Sequence, residues 1–597
     1  MSYKYTVKTQ ALQQTEIAAV KSVVLEEGSL FLDFGKAAFG TLLIPKKEKT
    51  EKLRVHLGEQ LNSTGRIEKK PAGTIRYICI EQEPDATQDF TRITIPQDER
   101  NTGPMGIKMP ADIGEVYPFR YAEIENAEGI DASAVRQLAV FYPFDDEAAA
   151  FESSDKVLNA VWELCKYSIK ATTFCGVYID GDRERIPYEG DAYINQLCHY
   201  GLDHEYDFAR YSHEYLLQNP TWPTEWQLHS VMMAWADYMY TAETVSLEAF
   251  YDLLCTKTLI DLAREDGLIS TESEKCTRAF EESLNLYHPN YIYDHGLRDL
   301  VDWPPGSFTE GGQGERDNHE MLPINTVVNA FHYHALTLME KIADVLGKTK
   351  DRQRFAQQAE LVKTSFNRVL FDEAIGSYID GEGSNHASLH SNMTALAFGL
   401  VPSEQQASVI DFVKSRGMAC SVYGTQYLLE ALYLNDEADY ALELMTATHD
   451  RSWWHMLELG STITLEAWDW KYKNNLDWNH AWGAVPANII PRFVLGVRPL
   501  EPGFNKMLIQ PQPGSLERIS GKVPTPKGPV WVALEASDGQ HVLTLSIPSG
   551  TTATIGLEVD KSEKSVLLNG KPVSPRREGR YRYLEGIAPG NQVVAYA

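Results

Sequence analysis

The sequence predicts a multidomain α and β protein in which a long helical region lies between two β-sandwich domains. Three observations lead to this prediction. Apolar residues alternate in period two up to about residue 145, recur every three to four residues to about residue 498, and then alternate again. We therefore divide the chain into an N-terminal β-sandwich (1–145), a helical domain (146–498) and a C-terminal β-sandwich (499–597).

The N-terminal region consists of short alternating stretches separated by turn residues. These stretches are residues 30–35 (LFLDFG), 74–80 (TIRYICI) and 119–124 (FRYAEI). Because no long helical pattern interrupts them, we expect an antiparallel β-sandwich.

The pattern changes at residues 151–155 (FESSD), where Ser154 or Asp155 can cap the first helix. Further amphipathic helices are predicted at residues 247–262, 326–346, 352–370, 390–400, 404–414, 424–434 and 437–446. A succession of helices this long indicates helical hairpins, either closed into a toroid or stacked as a solenoid. No repeat of fixed length is visible, which disfavours the short-period solenoids.

Strand patterns return in the last hundred residues. Residues 530–534 (VWVAL), 542–547 (VLTLSI), 553–557 (ATIGL) and 565–570 (SVLLNG) alternate, with Gly, Pro or Asn-Gly turns between them. A second β-sandwich is therefore predicted to close the chain.

Composition and charge exclude several classes of protein. The net charge of −28 argues against nucleic acid or an anionic membrane as partner, because phosphate binding needs clustered Lys and Arg. No apolar run is long enough to span a membrane, and the N-terminus has no signal-peptide segment, so the expected location is the cytoplasm. Seven scattered cysteines form no metal-finger spacing and are predicted to be reduced core residues.

The first window with possible chemistry is residues 178–192 (YIDGDRERIPYEGDA). It holds two arginines and five carboxylates within twelve residues: Asp180, Asp182, Glu184, Glu189 and Asp191. Its Asp-Gly and Ile-Pro steps predict a loop between two helices. Crowded carboxylates raise one another's pKa, which can keep one acid protonated at neutral pH. The alternatives are a solvated acidic loop and a calcium site, although the spacing does not fit an EF-hand.

The second window is residues 451–483, which contain six of the twelve tryptophans. Glu458, Glu466, Asp469, Asp477, Asn479 and His480 lie among them. Such a segment can be an aromatic core, or it can form a sugar pocket in which flat rings contact C–H surfaces and polar groups bind hydroxyls. Together the two windows suggest glycoside chemistry, which needs two carboxyl groups.

Smaller signals are given structural interpretations. His386 and His390 have the spacing of metal ligands on a helix but lack the Glu of an HExxH motif, and no metal site is predicted. The glycine-rich stretch 311–314 (GGQG) lacks the context of a dinucleotide site. Trp235 and the Asp302-Trp303 pair are single aromatic–carboxylate neighbours, and neither is a site by itself.

At the first window the sequence resembles family 78 of the glycoside hydrolases, the inverting α-L-rhamnosidases. Residues 184–192 (ERIPYEGDA) align without a gap with the second half of a motif of that family. The resemblance implies that Glu184 is the catalytic acid and that Asp191 binds the sugar. Pro187 replaces the family's usual Gly and Tyr188 its more usual Trp. Residues 180–184 (DGDRE) lack a Cys-Pro step, so carrying sugar-binding roles to Asp180 and Arg183 requires a gap.

The second window resembles the family's Gly-x-Thr-Thr-x-x-Glu…Asn-His stretch, here residues 460–466 (GSTITLE) and 479–480. This similarity implies that Glu466 is the general base and that His480 contacts substrate. It also places a sugar-stacking tryptophan at Trp303 and, by a weaker match, a pocket tryptophan at Trp235. The family's catalytic domain is an (α/α)6 toroid, which agrees with the helices predicted independently from periodicity.

The resemblance implies hydrolysis of a terminal non-reducing α-L-rhamnose with inversion. Burial and neighbouring carboxylates are expected to keep Glu184 protonated, with Tyr188 and Trp303 bounding the apolar side of the sugar. No cofactor is expected; the partners are a carbohydrate or glycoside substrate, with no nucleic acid and no membrane, and a homodimer is left open. One alternative is an inverting hydrolase of another terminal deoxysugar or uronic-acid glycoside. Another is a non-catalytic carbohydrate-binding protein, which would not need the pair of glutamates.

Overall fold

The computed structural model describes residues 4–26, 28–46, 52–85, 87–306, 314–537, 539–559 and 565–596. Except for Gly314, the glycine-rich stretch 311–314 lies outside these residues. Strands come first, helices follow and strands return, so the predicted fold class is confirmed.

The N-terminal region is one antiparallel sheet of eight strands organised around a single long strand, β3. Its strands are β1 Gln13–Ala18, β2 Lys21–Val24, β3 Leu30–Pro45, β4 Leu53–Gly58, β5 Tyr77–Gln82, β6 Phe90–Arg92, β7 Tyr117–Glu125 and β8 Arg136–Phe141. A register shift between Asp33 and Ala38 divides β3, which pairs with β2 before it and with β6 and β8 after it. A bulge of this kind bends a strand, so β3 serves both parts of the sheet.

The helical domain contains fourteen α-helices among its described residues. They are α1 Lys156–Ala171, α2 Glu189–Leu202, α3 Asp207–Gln218, α4 Thr224–Thr241, α5 Val245–Lys257, α6 Arg278–Ser283, α7 Thr326–Val345, α8 Thr349–Leu370, α9 Leu389–Ala397, α10 Gln406–Arg416, α11 Thr425–Leu434, α12 Ala438–Met445, α13 Trp453–Glu458 and α14 Pro486–Ile489. Asp155 caps α1 by accepting a hydrogen bond from the Leu158 backbone N–H at 2.8 Å. A π-helix, Ile490–Val494, continues α14, and a two-stranded ribbon, β10 Phe371–Asp372 and β11 Ser377–Tyr378, follows α8.

Six helices form a closed inner ring: α2, α4, α7, α9, α11 and α14. Each packs on the next from α2 to α11, and α14 packs back on α2. The Asn488 amide donates to Gln426 at 2.8 Å and joins α14 to α11. Every residue of α2 and of α14 is buried, as a helix enclosed on all sides requires. The outer helices α1, α3, α5, α8, α10 and α12 complete six hairpins, which is the predicted (α/α)6 toroid.

The C-terminal region consists of two sheets with a core continuous with that of the toroid. Its strands are β12 Val497–Pro499, β13 Lys506–Ile509, β14 Arg518–Val523, β15 Val530–Ser537, β16 Gln540–Ile547, β17 Thr552–Glu558, β18 Val566–Leu568, β19 Lys571–Val573, β20 Arg576–Glu578, β21 Tyr581–Ile587 and β22 Gly590–Tyr596. A short strand before the toroid, β9 Ala150–Ser153, pairs antiparallel with β14 and forms the edge of the seven-stranded sheet. The residues just before α1 therefore belong to the C-terminal sheet.

None of the helices that the structure describes is long and apolar enough to cross a membrane.

Candidate active site

A cavity of about 420 Å³ lies at the N-terminal ends of several inner helices. Tyr188 precedes α2, Trp226 lies in the first turn of α4, and His480 and Trp482 come shortly before α14. The structure brings eight of the nine predicted site residues to this cavity: Asp180, Arg183, Glu184, Tyr188, Asp191, Trp303, Glu466 and His480.

The ninth residue, Trp235, lies away from the cavity and requires a correction. It is partly exposed on α4, where it packs against Tyr238 at 5.6 Å between ring centroids and lies under the Lys341 ammonium. Trp226 lines the cavity instead. The two tryptophans are nine residues apart on one helix, and nine steps of about 100° turn a side chain to the opposite face.

The loop before α2 is folded tightly on itself. The Asp180 N–H donates to the Ile186 carbonyl at 2.9 Å, and the Ile186 N–H donates to Asp180 Oδ1 at 2.9 Å. Arg185 adopts a left-handed backbone with φ of 53°, an uncommon conformation for a residue with a side chain. Its guanidinium is buried on Asp182 and Glu115, which fixes the backbone immediately after Glu184.

Only three of the five carboxylates of this window line the cavity. Asp182 turns away and binds two buried arginines, Arg76 of the N-terminal sheet at 2.5 Å and Arg185 at 2.9 Å. Glu189 accepts hydrogen bonds from the backbone N–H and hydroxyl of Thr221. Both have structural roles, so the site carboxylates from this loop are Asp180, Glu184 and Asp191.

Glu466 is a buried carboxylate held by cations. Arg183 binds it through both terminal nitrogens, Nη1 to Oε2 at 2.7 Å and Nη2 to Oε1 at 3.0 Å. Lys473 lies 3.1 Å from Oε1, and the Asp477 N–H donates to Oε2 at 3.1 Å. Although burial opposes ionisation, these positive charges hold the pKa of Glu466 well below its usual range.

Glu184 lies on the other side of the same guanidinium. Arg183 Nε donates to Glu184 Oε1 at 3.2 Å, and the Tyr188 hydroxyl donates to Oε2 at 2.9 Å. Its side chain is 35% exposed, which does not agree with the expectation that burial keeps it protonated. One arginine thus contacts both predicted catalytic carboxylates and stands between them.

Asp180 is a carboxyl group of this cavity whose burial favours its neutral form. Its side chain is 2% exposed, and its Oδ2 has no hydrogen-bond partner within the described part of the chain. Burial, and next the negative charge of nearby Glu184, raise the pKa of Asp180 well above its usual range. A neutral carboxyl group can donate as well as accept, so Asp180 offers the cavity a hydrogen-bond donor.

Asp191 and His480 form a buried pair in the cavity wall. His480 Nε2 lies 2.6 Å from Asp191 Oδ1, and its ring stacks on Trp482 with 4.6 Å between centroids. Burial raises the pKa of Asp191, while the imidazole opposes this shift. The pair fixes the histidine ring at the cavity surface.

The rest of the wall is largely aromatic and was mostly missed by the sequence analysis. It includes Trp222, Trp226, Tyr293, His295 and Trp482 beside the predicted Trp303. Asp302 anchors the segment before Trp303 by binding His390 Nε2 at 2.6 Å and the Ser421 N–H at 2.9 Å. His386 pairs with a different carboxylate, Asp380, so His386 and His390 do not share a ligand. The aromatic density of residues 222–226 and 287–295 was a usable signal.

The N-terminal sheet also reaches the cavity, through Arg100, Gly103, Met105 and Gly106. A Cβ on Gly106 would lie 2.9 Å from the Glu184 carbonyl oxygen and 2.7 Å from that of Asn101. The Ile107 N–H donates to the Arg185 carbonyl at 2.9 Å. This loop therefore presses directly on the backbone that carries Glu184, and no sequence motif marked it.

Three residues come close enough to share a metal ion: Glu466, Asp477 and His480, with ligand atoms within 4.8 Å of one another. Most of their acceptor atoms already have partners, whereas His480 Nδ1 has none among the described residues. Glu466 binds Arg183 and Lys473, Asp477 accepts from the Thr74 hydroxyl and the Arg183 N–H, and His480 binds Asp191. The donor set thus forms an ion-pair network within the chain.

Two family models match the chain. Residues 146–494 match the bacterial alpha-L-rhamnosidase 6 hairpin glycosidase domain, and residues 496–570 match the bacterial alpha-L-rhamnosidase C-terminal domain. The chain belongs to the bacterial alpha-L-rhamnosidase family. Family 78 of the glycoside hydrolases, to which the two motifs pointed, is thereby confirmed.

Curated relatives of this rhamnosidase-family chain are distant and longer. An alpha-L-rhamnosidase of Formosa agariphila is 22% identical over 500 residues, which cover 76% of this chain and 48% of that protein. An alpha-L-rhamnosidase from an Alteromonas species is 27% identical over 270 residues, which cover 42% of this chain and 28% of that protein. The chain spans about half, or less, of the length of the curated relatives it matches.

Solved rhamnosidase structures have the same fold. The alpha-L-rhamnosidase from Dictyoglumus thermophilum superposes with a TM-score of 0.76 at 18% identity, over 98% of this chain and 63% of that one. That of Streptomyces avermitilis, complexed with L-rhamnose, gives a TM-score of 0.72 at 16% identity, over 98% of this chain and 53% of that one. A Klebsiella oxytoca rhamnosidase with rhamnose bound gives 0.56 at 14% identity over 81% and 96%.

Proposed function

We propose that the protein hydrolyses terminal α-L-rhamnosides with inversion, with Glu184 as general acid and Glu466 as general base. The observation that carries the proposal is that Glu184 and Glu466 face one aromatic-walled cavity and are bridged by Arg183. Two observations support rhamnose as the sugar that is released: the chain belongs to the rhamnosidase family, and the structures of two relatives contain bound rhamnose.

The reaction is a single displacement. Protonated Glu184 gives its proton to the glycosidic oxygen as the bond from that oxygen to the anomeric carbon breaks, and the aglycone leaves as a neutral alcohol. Water attacks the opposite face of the sugar while Glu466 takes one of its protons. Glu184 ends as a carboxylate and Glu466 as an acid, and exchange of a proton with solvent restores both.

The electrostatics of Glu466 suit one requirement of a general base and oppose another. Arg183 and Lys473 hold Glu466 ionised, so it is ready to accept a proton at neutral pH. The same charges lower its basicity, and a weaker base takes a proton less readily in the transition state. We therefore expect substrate to draw Arg183 away from Glu466 as the sugar binds.

The other polar groups of the cavity are assigned to the sugar hydroxyls. Asp180, neutral and with an unpartnered Oδ2, donates to one hydroxyl, and the Asp191–His480 pair binds another. Trp303 and Tyr188 would bound the apolar side of the ring, including the methyl group. The cavity of about 420 Å³ lies within the usual size range of small-molecule pockets and can hold a monosaccharide ring.

The function is tested by hydrolysis of 4-nitrophenyl α-L-rhamnoside beside the corresponding α-L-fucoside and β-D-glucuronide, with NMR detection of the first-formed anomer. We expect the rhamnoside to react fastest and to release the β-anomer first. Faster reaction of another glycoside would show that rhamnose is not the preferred sugar. Release of the α-anomer first would show that the mechanism is retaining. Binding of rhamnose without turnover would favour a non-catalytic carbohydrate-binding protein.

Substitution of the two glutamates tests their roles. Glu184→Gln should lower kcat for an alkyl rhamnoside by about 10²- to 10⁴-fold with a modest change in KM, and much less for 4-nitrophenyl rhamnoside, whose leaving group needs no proton. Glu466→Gln should lower kcat for both substrates. Because glutamine removes the negative charge that Arg183 and Lys473 contact, Glu466→Asp, which keeps the charge but moves the carboxylate, serves as the second variant.

Asp180 is the competing candidate for the acid, because burial keeps it neutral. Asp180→Asn imitates the neutral carboxyl group and should raise KM more than it lowers kcat. If Asp180→Asn instead loses alkyl rhamnoside turnover while keeping 4-nitrophenyl rhamnoside turnover, the acid is Asp180 and the assignment of Glu184 is wrong.

A further inference from the structure

Two tyrosine hydroxyls form a chain that ends on Glu184. The Tyr188 hydroxyl oxygen lies 2.9 Å from Glu184 Oε2 and 2.7 Å from the Tyr293 hydroxyl oxygen. Tyr188 precedes α2, whereas Tyr293 belongs to the long connection between α6 and α7, so two separate parts of the toroid meet at this carboxylate. Both tyrosines line the cavity.

We propose that Tyr188 and Tyr293 form a hydroxyl relay that positions Glu184 for proton donation, with Tyr293 acting through Tyr188. The proposal rests on the proposed function, in which Glu184 is the general acid. Tyr188 touches the acid itself, and Tyr293 is a positioning residue that no motif of the sequence identified.

The direction of the hydrogen bonds follows from what each group can do. An ionised carboxylate only accepts, so Tyr188 donates to Glu184 Oε2 and its own oxygen accepts from Tyr293. Burial raises the pKa of Tyr188 and of Tyr293, so both hydroxyls keep their protons over the working pH range.

Ring packing holds the relay in place. The Tyr188 ring meets Trp226 edge-on with 5.3 Å between centroids, and the Tyr293 ring meets Trp222 in the same manner at 6.3 Å. Tyr291 also packs against Tyr293, with 5.4 Å between ring centroids. With the rings fixed, the hydroxyl positions are fixed too, and the Glu184 carboxyl group can adopt few other orientations.

The relay acts on the transition state more than on the bound substrate. As Glu184 gives up its proton, negative charge develops on its carboxyl group, and a hydrogen bond to Oε2 strengthens with that charge. An interaction that strengthens in the transition state contributes to kcat rather than to KM. Hydrogen bonds in a chain polarise one another, so Tyr293 strengthens the bond that Tyr188 donates.

The experiment compares Tyr188→Phe and Tyr293→Phe with wild type on methyl and 4-nitrophenyl α-L-rhamnoside. Methyl rhamnoside requires the acid, so its kcat should fall about 10- to 100-fold in Tyr188→Phe and about 3- to 10-fold in Tyr293→Phe. For the 4-nitrophenyl substrate, kcat should fall by less than about 3-fold in either variant. Because both act through one hydrogen bond, the double variant should be no worse than Tyr188→Phe.

The pH profile gives a readout that a structural role would not move. A hydrogen bond donated to a carboxylate favours its ionised form, so removing the donor should move the alkaline limb of kcat/KM to higher pH in both variants. Infrared difference titration of the Glu184 carboxyl group, assigned with Glu184→Gln, should show the same shift without any turnover. This separates the relay from the proposed function, which fails if wild type cleaves neither rhamnoside.

Tyr291→Phe is the matched control. Its hydroxyl donates to the His295 carbonyl at 2.8 Å in the same connection but takes no part in the relay. It should leave unchanged both the ratio of the kcat values for the two substrates and the alkaline limb of the kcat/KM profile. Equal losses on both substrates, additive losses in the double variant, or an unshifted Glu184 titration would each overturn the relay.

Discussion

Two carboxyl groups in one cavity are driven to opposite protonation states by their partners. Asp180 and Glu466 are both buried, and burial raises the pKa of each. Direct contact with Arg183 and Lys473 then lowers the pKa of Glu466. In the described part of the chain no cation forms a hydrogen bond or ion pair with Asp180, and although the charge of Arg183 opposes the shift, burial keeps the pKa of Asp180 raised. Cation contact, rather than depth of burial, decides which of the two is charged.

Trp226 and Trp235 provide a residue-scale prediction. Trp226→Phe removes part of the cavity wall and should raise KM for the aryl rhamnoside about 5- to 10-fold with little change in kcat, because a packing contact binds ground and transition states alike. Trp235→Phe, on the opposite face of α4, should leave both constants unchanged. An effect of equal size in Trp235→Phe would contradict the position of Trp235 outside the cavity.

Site residues that lie in a motif could be predicted from the sequence, whereas those that reach the cavity only through the packing of the chain could not. Glu184, Asp191, Glu466 and His480 stand in ungapped or recognisable stretches, and all four line the cavity. Trp235 was misplaced because choosing a face of α4 needs the rotation of the helix about its own axis, which depends on packing. Tyr293 lies in an irregular connection, where neither period nor motif predicts the direction of a side chain.

At the scale of elements, the loop from Arg100 to Ile107 acts on the site from outside the toroid. Gly106 lies against the Glu184 carbonyl oxygen, and the following residue donates to the Arg185 carbonyl. The Asn101 amide also donates to the Asp182 carbonyl at 2.9 Å. The strand and helix patterns predicted both domains separately, but they could not predict that a loop of one supports the catalytic loop of the other.

Gly106 and Gly103 give a matched pair for this loop. In Gly106→Ala the new methyl group would meet two backbone oxygens and must push the Glu184 backbone, so kcat should fall about 10-fold or more. In Gly103→Ala, in the same loop, the methyl group meets nothing within 4 Å and does not push the Glu184 backbone, so the loss of kcat should be much smaller than in Gly106→Ala. Thermal unfolding of both variants shows whether the fold is kept. Full activity in Gly106→Ala would mean that the loop yields without moving Glu184.

At the scale of the whole molecule, buried histidines couple stability to pH. Burial lowers the pKa of His199, His229 and His332 to about 4. Each binds a proton in the unfolded chain below about pH 6.5 but not in the folded one, so its contribution to stability is lost as the pH falls from 6.5 towards 4. At pH 5 each such histidine costs about 2 kcal/mol.

His332→Asn tests this coupling. Asparagine keeps a nitrogen near Nδ1, which donates to the Thr258 carbonyl at 2.7 Å, but it cannot be protonated. Between pH 6 and 4.5 the free energy of unfolding should fall less steeply than in wild type, by about 1 kcal/mol per pH unit. Urea unfolding at several pH values measures the slope. Identical slopes for wild type and His332→Asn would refute the prediction.

The strand β9 has a consequence for how the chain is made on the ribosome. Its partner β14 is synthesised only after the entire toroid, about 365 residues later, which takes roughly 20 to 70 seconds at ordinary translation rates. During that interval Ala150–Ser153 is an edge without a neighbour, directly before the first helix of the toroid. Each nascent toroid therefore carries an unpaired strand until β14 is made, and the pairing of β9 with β14 joins the beginning of the toroid to the C-terminal sheet.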